Sequence, residues 1–175
     1  MSEFRKANTD EWYFVTMTVV GWIDVFSRSK YADVIIDSLV FCQINKQLNI
    51  AAYVIMPNHI HLILQKEDGQ LGAFFRDFKS YTAKRIISLM ENDMKESRKD
   101  WMLHLFKYHA KYKQQNKLYQ FWQKTNHPIL LDNASIFDQK LNYIHANPVR
   151  ARIVNQENSF VFSSANPDQP IKLCF

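Results

Sequence analysis

Two histidines, His59 and His61, stand two positions apart within the apolar run Ala51 to Leu64, AAYVIMPNHIHLIL. In an extended strand, residues i and i+2 share a face. Both imidazoles therefore point one way beside Ile63, while Ile60, Leu62 and Leu64 point the other. Two imidazoles on one face can hold a divalent cation. The same pair also suits a polar corner in which each ring is simply hydrogen-bonded. The metal reading needs a third ligand and a reactive group from elsewhere in the chain.

The elements that must position this pair follow from the hydrophobic pattern. Trp12 to Val20, WYFVTMTVV, is aromatic and β-branched with no helical period, which predicts a buried strand ending at Gly21. Lys30 to Leu48 carries Ile35, Leu39 and Cys42 at helical spacing, with Ser29 available as N-cap. Ile50 to Met56 is apolar on both faces, as a central strand would be, and Pro57-Asn58 turns it into the histidine strand. Leu71 to Met90 predicts a second helix with the stripe Phe75, Phe78, Thr82, Ile86 and Leu89, leaving Arg76, Lys79, Lys84 and Arg85 outside it. After a charged loop, Glu91 to Asp100, Trp101, Leu105, Tyr108 and Tyr112 share one side of a shorter third helix. Lysines then alternate with aromatics through KYHAKYKQQNKLYQFWQK, residues 107–124. That interleaving suits both a solvated helix face and a nucleic-acid surface, with cations for phosphates and rings for unstacked bases. Phe121 to Leu131 reads as extended, with Pro128 favouring a sheet edge or bulge.

The last helix starts near Ala134 and is expected to end at Asn147, because Pro148 disfavours helical backbone in the residue before it. At ~100° per residue, Phe137, Leu141 and Ile144 make one narrow apolar stripe, while Lys140, Tyr143 and Asn147 lie on a neighbouring face. Tyr143 and Asn147 are one turn apart. A tyrosine so placed can be a buried residue with its hydroxyl tied to the backbone, or a reactive one. His145 projects elsewhere.

The 175 residues, 47% hydrophobic and 14% aromatic, suffice for one domain with a substantial core. No apolar run is long enough to span a bilayer, and the charged start MSEFRKANTDE is unlike a secretory signal. Cys42 and Cys174 are too few for a disulfide framework, so a cytoplasmic protein is expected. Lys plus Arg outnumber Asp plus Glu by 22 to 17, a net charge of +5 that favours anionic partners.

PNHIHLI at Pro57 to Ile63 and NYIHANPVRARIV at Asn142 to Val154, in that order and with FWQ at Phe121 to Gln123 between them, resemble the two signatures of the HUH single-tyrosine transposases, most closely the REP-associated tyrosine transposases. The resemblance implies an α+β, ferredoxin-like HUH core over residues 12–154 of a single domain. Its antiparallel sheet would carry the His-x-His strand centrally, with helices packed on one face. Residues 155–175 form a tail without a motif. Carried over by position, His59 and His61 match the metal-binding histidines and Tyr143 the nucleophile, while Asn147 stands where a polar side chain can complete the metal site. Arg152 departs from the pattern, standing where the family often has glycine.

The implied activity is DNA transposition and recombination: cleavage and rejoining of single-stranded DNA beside a REP-type hairpin, through a 5′-phosphotyrosine and a free 3′ hydroxyl. The implied cofactor is Mg²⁺ or Mn²⁺. Lys79, Lys84, Arg85, Lys107, Lys111 and Lys113 are the candidate phosphate contacts. Such a protein would work in the bacterial cytoplasm, associated with the nucleoid. The resemblance leaves open a homodimer, and whether Tyr143 serves its own chain's histidines or a partner's. A catalytically inactive hairpin-binding module of transposase origin is the rival reading.

Overall fold

The computed structural model describes residues 10–111 and 118–174. Strand β1 (Trp12–Thr18) is followed by a 3₁₀ turn, Val20–Trp22, and helix α1 (Ser29–Asn45). Strands β2 (Leu48–Met56) and β3 (His59–Lys66) form a hairpin across Pro57-Asn58. Helices α2 (Leu71–Asn92) and α3 (Lys99–Lys111), the short strand β4 (Ile129–Leu130) and helix α4 (Ala134–Arg150) complete the order. The sheet is antiparallel, ordered β2-β3-β1-β4, so the histidine strand is internal as expected for this α+β class. Among the described residues no helix is long and apolar enough to cross a membrane.

Strand parity divides the interior in two. Tyr13, Val15 and Met17 of β1 and Ile60, Leu62 and Leu64 of β3 face α1 and α2, where they meet Ile35, Leu39, Phe75, Phe78 and Ile86 in the main core. Phe14, Val54, Met56 and Ile63 face the other way and are covered by α4 through Ile144, Phe137 and Leu141. Helices therefore flank both faces of the sheet, not one. The apolar residues that share a face with the histidines need cover, and each fully buried side chain of this size contributes ~1.5–3 kcal/mol.

Four local expectations are corrected. Strand β2 ends the sheet instead of lying centrally, yet its free edge is sealed by residues 162–174. Ile55 N donates to Phe162 O, Ser164 N to Tyr53 O and Cys174 N to Ile50 O. Sandwiched between α1 and α4 and covered at its edge, it is buried as a central strand would be. Helix α1 starts at Ser29 itself, with Arg28 at the cap and no capping side chain. In α3 the buried stripe is Met102, Phe106 and Ala110, while Trp101 and Tyr108 are more than half exposed. Phe106, with no polar atom, gains more from full burial than Trp101 or Tyr108, and Tyr112 lies outside the described residues.

Helix α4 passes through Pro148 to Arg150. Only one backbone bond is lost there, and the last turn is rebuilt: Arg152 N donates to Val149 O and Ile153 N to Pro148 O. This Schellman motif requires left-handed backbone at Arg152, whose φ is +58°. Arg152 thus occupies a conformation suited to glycine. Arg152→Gly should raise stability by about 0.5–1 kcal/mol, roughly 1–4 °C in melting temperature for a chain of this size. Arg152→Ala should not. Equal melting of both variants would remove the strain from this account.

Candidate active site

The pairing of β1 with β3 sets His61 opposite Thr16 and His59 opposite Thr18. His61 is 5% exposed, and its Nδ1 lies 2.8 Å from Thr16 Oγ1. Its Nε2 is buried with no partner among the described residues. His59 Nδ1 lies 2.7 Å from Asn58 Oδ1. The orientation of that amide is fixed, because Asn58 Nδ2 donates to Asp24 Oδ1 at 3.0 Å and to Trp22 O at 3.4 Å. Only the amide oxygen is left for His59, and an oxygen can only accept. His59 therefore carries its hydrogen on Nδ1 and keeps the Nε2 lone pair free.

The imidazole centroids are 4.7 Å apart with planes at 73°. Burial pushes His59 below its ordinary pKa. His61 is brought down to about 3, mainly by burial, then by His59 and by the positive charge of Lys140. Both rings are neutral near pH 7, as ligation requires. An orphaned buried nitrogen, a second ring locked with its lone pair outward and hydrogen bonds behind both rings together fit a divalent cation. Among the described residues no third His, Cys, Asp or Glu joins them, so the remaining donors must be amide, phenol, water or substrate oxygens.

Helix α4 brings the phenol. Asn133 caps it by accepting from Ile136 N at 2.9 Å, and the apolar stripe sets it on the histidine face. Tyr143 then lies with its ring centroid 5.2 Å from His61 and 5.9 Å from Phe14, edge-on to both. Lys140 Nζ is 4.9 Å above Phe14 and 5.9 Å from the Tyr143 ring, and the Arg150 guanidinium is 5.6 Å from that ring. Asn147 is half-buried one turn beyond Tyr143, its backbone carbonyl accepting from Ala151 N. His59, His61 and Tyr143 of one chain thus share one surface. His145 is turned away and lies 3.0 Å from Ser164 Oγ.

The cations singled out in the sequence do not converge here. Lys79 is tied down, donating to Gln123 O at 2.8 Å and Thr125 O at 3.4 Å, and burial lowers its pKa to about 8. Lys84 and Arg85 are exposed on α2, across the sheet from Tyr143. Arg85 borders a cleft of about 810 Å³ between α1 and α2 that reaches neither histidine. Lys107 and Lys111 are exposed on α3, Lys107 5.5 Å from the Tyr119 ring. Lys113 lies outside the described residues. Sequence reasoning missed Asn58, Asp24, Thr16 and Arg150 as neighbours of the site. Asn58 had a usable signal, since the residue that turns the hairpin into His59 is poised to touch that ring. Thr16 depended on a register no single strand reveals.

The fold is similar to that of a solved REP-associated tyrosine transposase bound to a REP hairpin, with a TM-score of 0.64 over 94% of this chain and 82% of that one, at 18% sequence identity. No family model and no curated protein matches the sequence.

Titration with Mn²⁺ followed by calorimetry tests the cation reading. The chain should bind the ion, His61→Ala should lose binding while keeping the far-ultraviolet spectrum, and Asn58→Leu should weaken it about 10–100-fold. Undiminished affinity in the leucine variant would show that Asn58 does not set the histidine.

Proposed function

We propose that the chain is a metal-dependent single-stranded DNA transposase and endonuclease that cuts and rejoins strands near hairpins through a 5′-phosphotyrosine. The observation that carries this reading is the Tyr143 ring 5.2 Å from His61 within one chain. A phenol beside two neutral imidazoles, one with its lone pair held free and one with a buried, unpartnered nitrogen, supports reading Tyr143 as a nucleophile beside a cation site. The likeness of fold to a hairpin-bound tyrosine transposase supports the same reading.

His59 and His61, with Asn147 one turn along α4 from the tyrosine, would hold Mg²⁺ or Mn²⁺. Bound there, such an ion supplies positive charge that polarises a phosphodiester and offsets the charge developing on its oxygens. The chain's own residues do the rest. Phe14 and His61 wall the phenol and limit its orientation. Lys140 and Arg150 bring two positive charges to its ring and draw the anionic backbone toward it. The phenol oxygen attacks phosphorus in line, the P–O3′ bond breaks, the departing oxygen is protonated as a 3′ hydroxyl, and the phenolic proton passes to solvent. One phosphodiester is exchanged for another, so rejoining runs by the reverse step without a nucleotide cofactor. Because Tyr143 already adjoins its own histidines, one protomer would suffice for a cut. The exposed Lys107 and Lys111 of α3 would add counterion-releasing phosphate contacts, making binding weaken with salt.

End-labelled hairpin DNA with single-stranded flanks, incubated with Mn²⁺ and run on a denaturing protein gel, should give a labelled band at the protein's mass. Tyr143→Phe should lose that band and keep its DNA affinity. Hairpin binding without any adduct in the unaltered protein would favour the inactive binding module, and cleavage surviving in the phenylalanine variant would indicate attack by water.

A further inference from the structure

On the side of the histidine pair away from Tyr143 stands Trp22, its ring 5.9 Å from His59 and edge-on to it at 70°. The indole is 60% exposed, although an aromatic of this size ordinarily finds cover. Its backbone is unusual as well. Gly21 and Trp22 are consecutive left-handed residues, with φ of +63° and +56°, and for a bulky residue such a conformation is a genuine outlier. Neighbours hold it there from several directions. Trp22 N donates to Val19 O, Val20 N to Phe121 O and Val19 N to Asn58 O, while Trp22 O accepts from Asn58 Nδ2. On the remaining side His109 Nε2 of α3 comes within 2.9 Å of where a side chain on Gly21 would begin. The positive φ at position 21 favours glycine, and a side chain there would also meet the His109 ring. Backbone strain kept in place by so many contacts, and used to present a ring to solvent beside candidate metal ligands, points to a ligand for that ring.

The arrangement says which ligand. The rings run in the order Trp22, His59, His61, Tyr143. A phosphodiester seated on the histidines therefore has the phenol on its His61 side and the indole on its His59 side. In-line displacement places the attacking and departing oxygens on opposite sides of phosphorus. With Tyr143 attacking, the departing 3′ oxygen and its nucleotide lie toward Trp22. An exposed indole offers a π-face to an unstacked base of any identity, and the net charge of +5 suits a polyanion.

We infer that Trp22 is a stacking platform for the base immediately 5′ of the scissile phosphate, holding the nucleotide that becomes the free 3′ end. The assignment of the side rests on the tyrosine mechanism proposed above; the stacking itself does not. After cleavage the stack keeps the released 3′ hydroxyl near the phosphotyrosine, so that rejoining competes with loss of the strand.

Two binding measurements on the full chain with Mn²⁺, in a Tyr143→Phe background so that nothing is cut, decide it. The first compares a twelve-nucleotide oligo(dT) with a twelve-unit abasic strand of equal charge. The protein with Trp22 should prefer oligo(dT) about ten-fold or more. Trp22→Ala should lose that preference while holding the abasic strand as before, and Trp22→Phe should recover most of it. A Trp22→Ala change that weakens both strands alike, or neither, overturns the platform. The second uses a hairpin substrate whose cut site has been mapped, with only the base 5′ of the cut removed. That removal should cost the Trp22 protein about ten-fold in affinity and the alanine variant nothing. If removing the base 3′ of the cut has this effect instead, the platform stands and the assigned side falls. If no substrate is ever cut, the mechanism fails while the first measurement still judges the stack.

Discussion

The structure depends on an unsatisfied nitrogen. His61 lies in the middle of an internal strand, 5% exposed, with Thr16 behind one ring nitrogen and no described partner for the other. A buried polar atom without a hydrogen bond costs about 1–3 kcal/mol, and an aliphatic side chain in the same place would instead contribute ~1.5–3 kcal/mol. Stability alone thus disfavours histidine here. Around that atom the sheet is arranged to keep the ring neutral and aimed. Burial, the neighbouring imidazole and the Lys140 charge all disfavour a second proton. The adjoining His59 is locked by an amide whose other end is held by Asp24 and Trp22. The pair is thereby kept uncharged, with the Nε2 lone pair of His59 free and Nε2 of His61 unpartnered among the described residues.

The second constraint is that one helix must do two things. Helix α4 covers the apolar half of the histidine face through Phe137, Leu141 and Ile144, and carries Lys140, Tyr143 and Asn147 along the adjoining strip. The two strips are neighbours on one cylinder, so packing the first fixes the second. The core thereby sets the distance between phenol and imidazole, and a change that lets α4 slide on Val54 and Ile63 would displace the phenol without touching it.

Much of this was legible because period and parity are local. The alternation in HIHLIL gave the histidine face, and the 3.6-residue period of ASIFDQKLNYIHANP separated the core stripe from the tyrosine. The missed features are those decided by distant partners. Pro148 does not end its helix, because it forfeits a single backbone bond and a Schellman turn at Arg152 closes the helix beyond it. Strand β2 reads as central because residues far along the chain cover its edge. In α3 two stripes were available, and only the surrounding core selects between them. The left-handed turn at Trp22 is signalled by Gly21, but nothing local says that a tryptophan would follow it into that conformation. The neighbours of His59 and His61 come from a hairpin turn, a 3₁₀ turn and a paired strand, three elements that register alone brings together.

The tail without a motif takes part in the same arrangement. Ser164 N donates to Tyr53 O, and its hydroxyl accepts from Tyr53 N at 3.0 Å and lies 3.0 Å from His145 Nε2. Tyr53 belongs to β2 and His145 to α4, so one serine joins the edge strand to the helix that carries Tyr143. His145 is held neutral by burial, which outweighs the opposing pull of Glu157, and so it meets the hydroxyl without bringing a charge into the contact. The clamp lies two residues past Tyr143, with Ile144 buried between them. Apolar packing fixes how far α4 stands from the sheet, but a smooth hydrophobic contact resists sliding poorly, because dispersion has little directional preference. A hydrogen bond is directional. The serine therefore supplies what the core cannot, a fixed position of the helix along the strand, and with it the alignment of the phenol with His61.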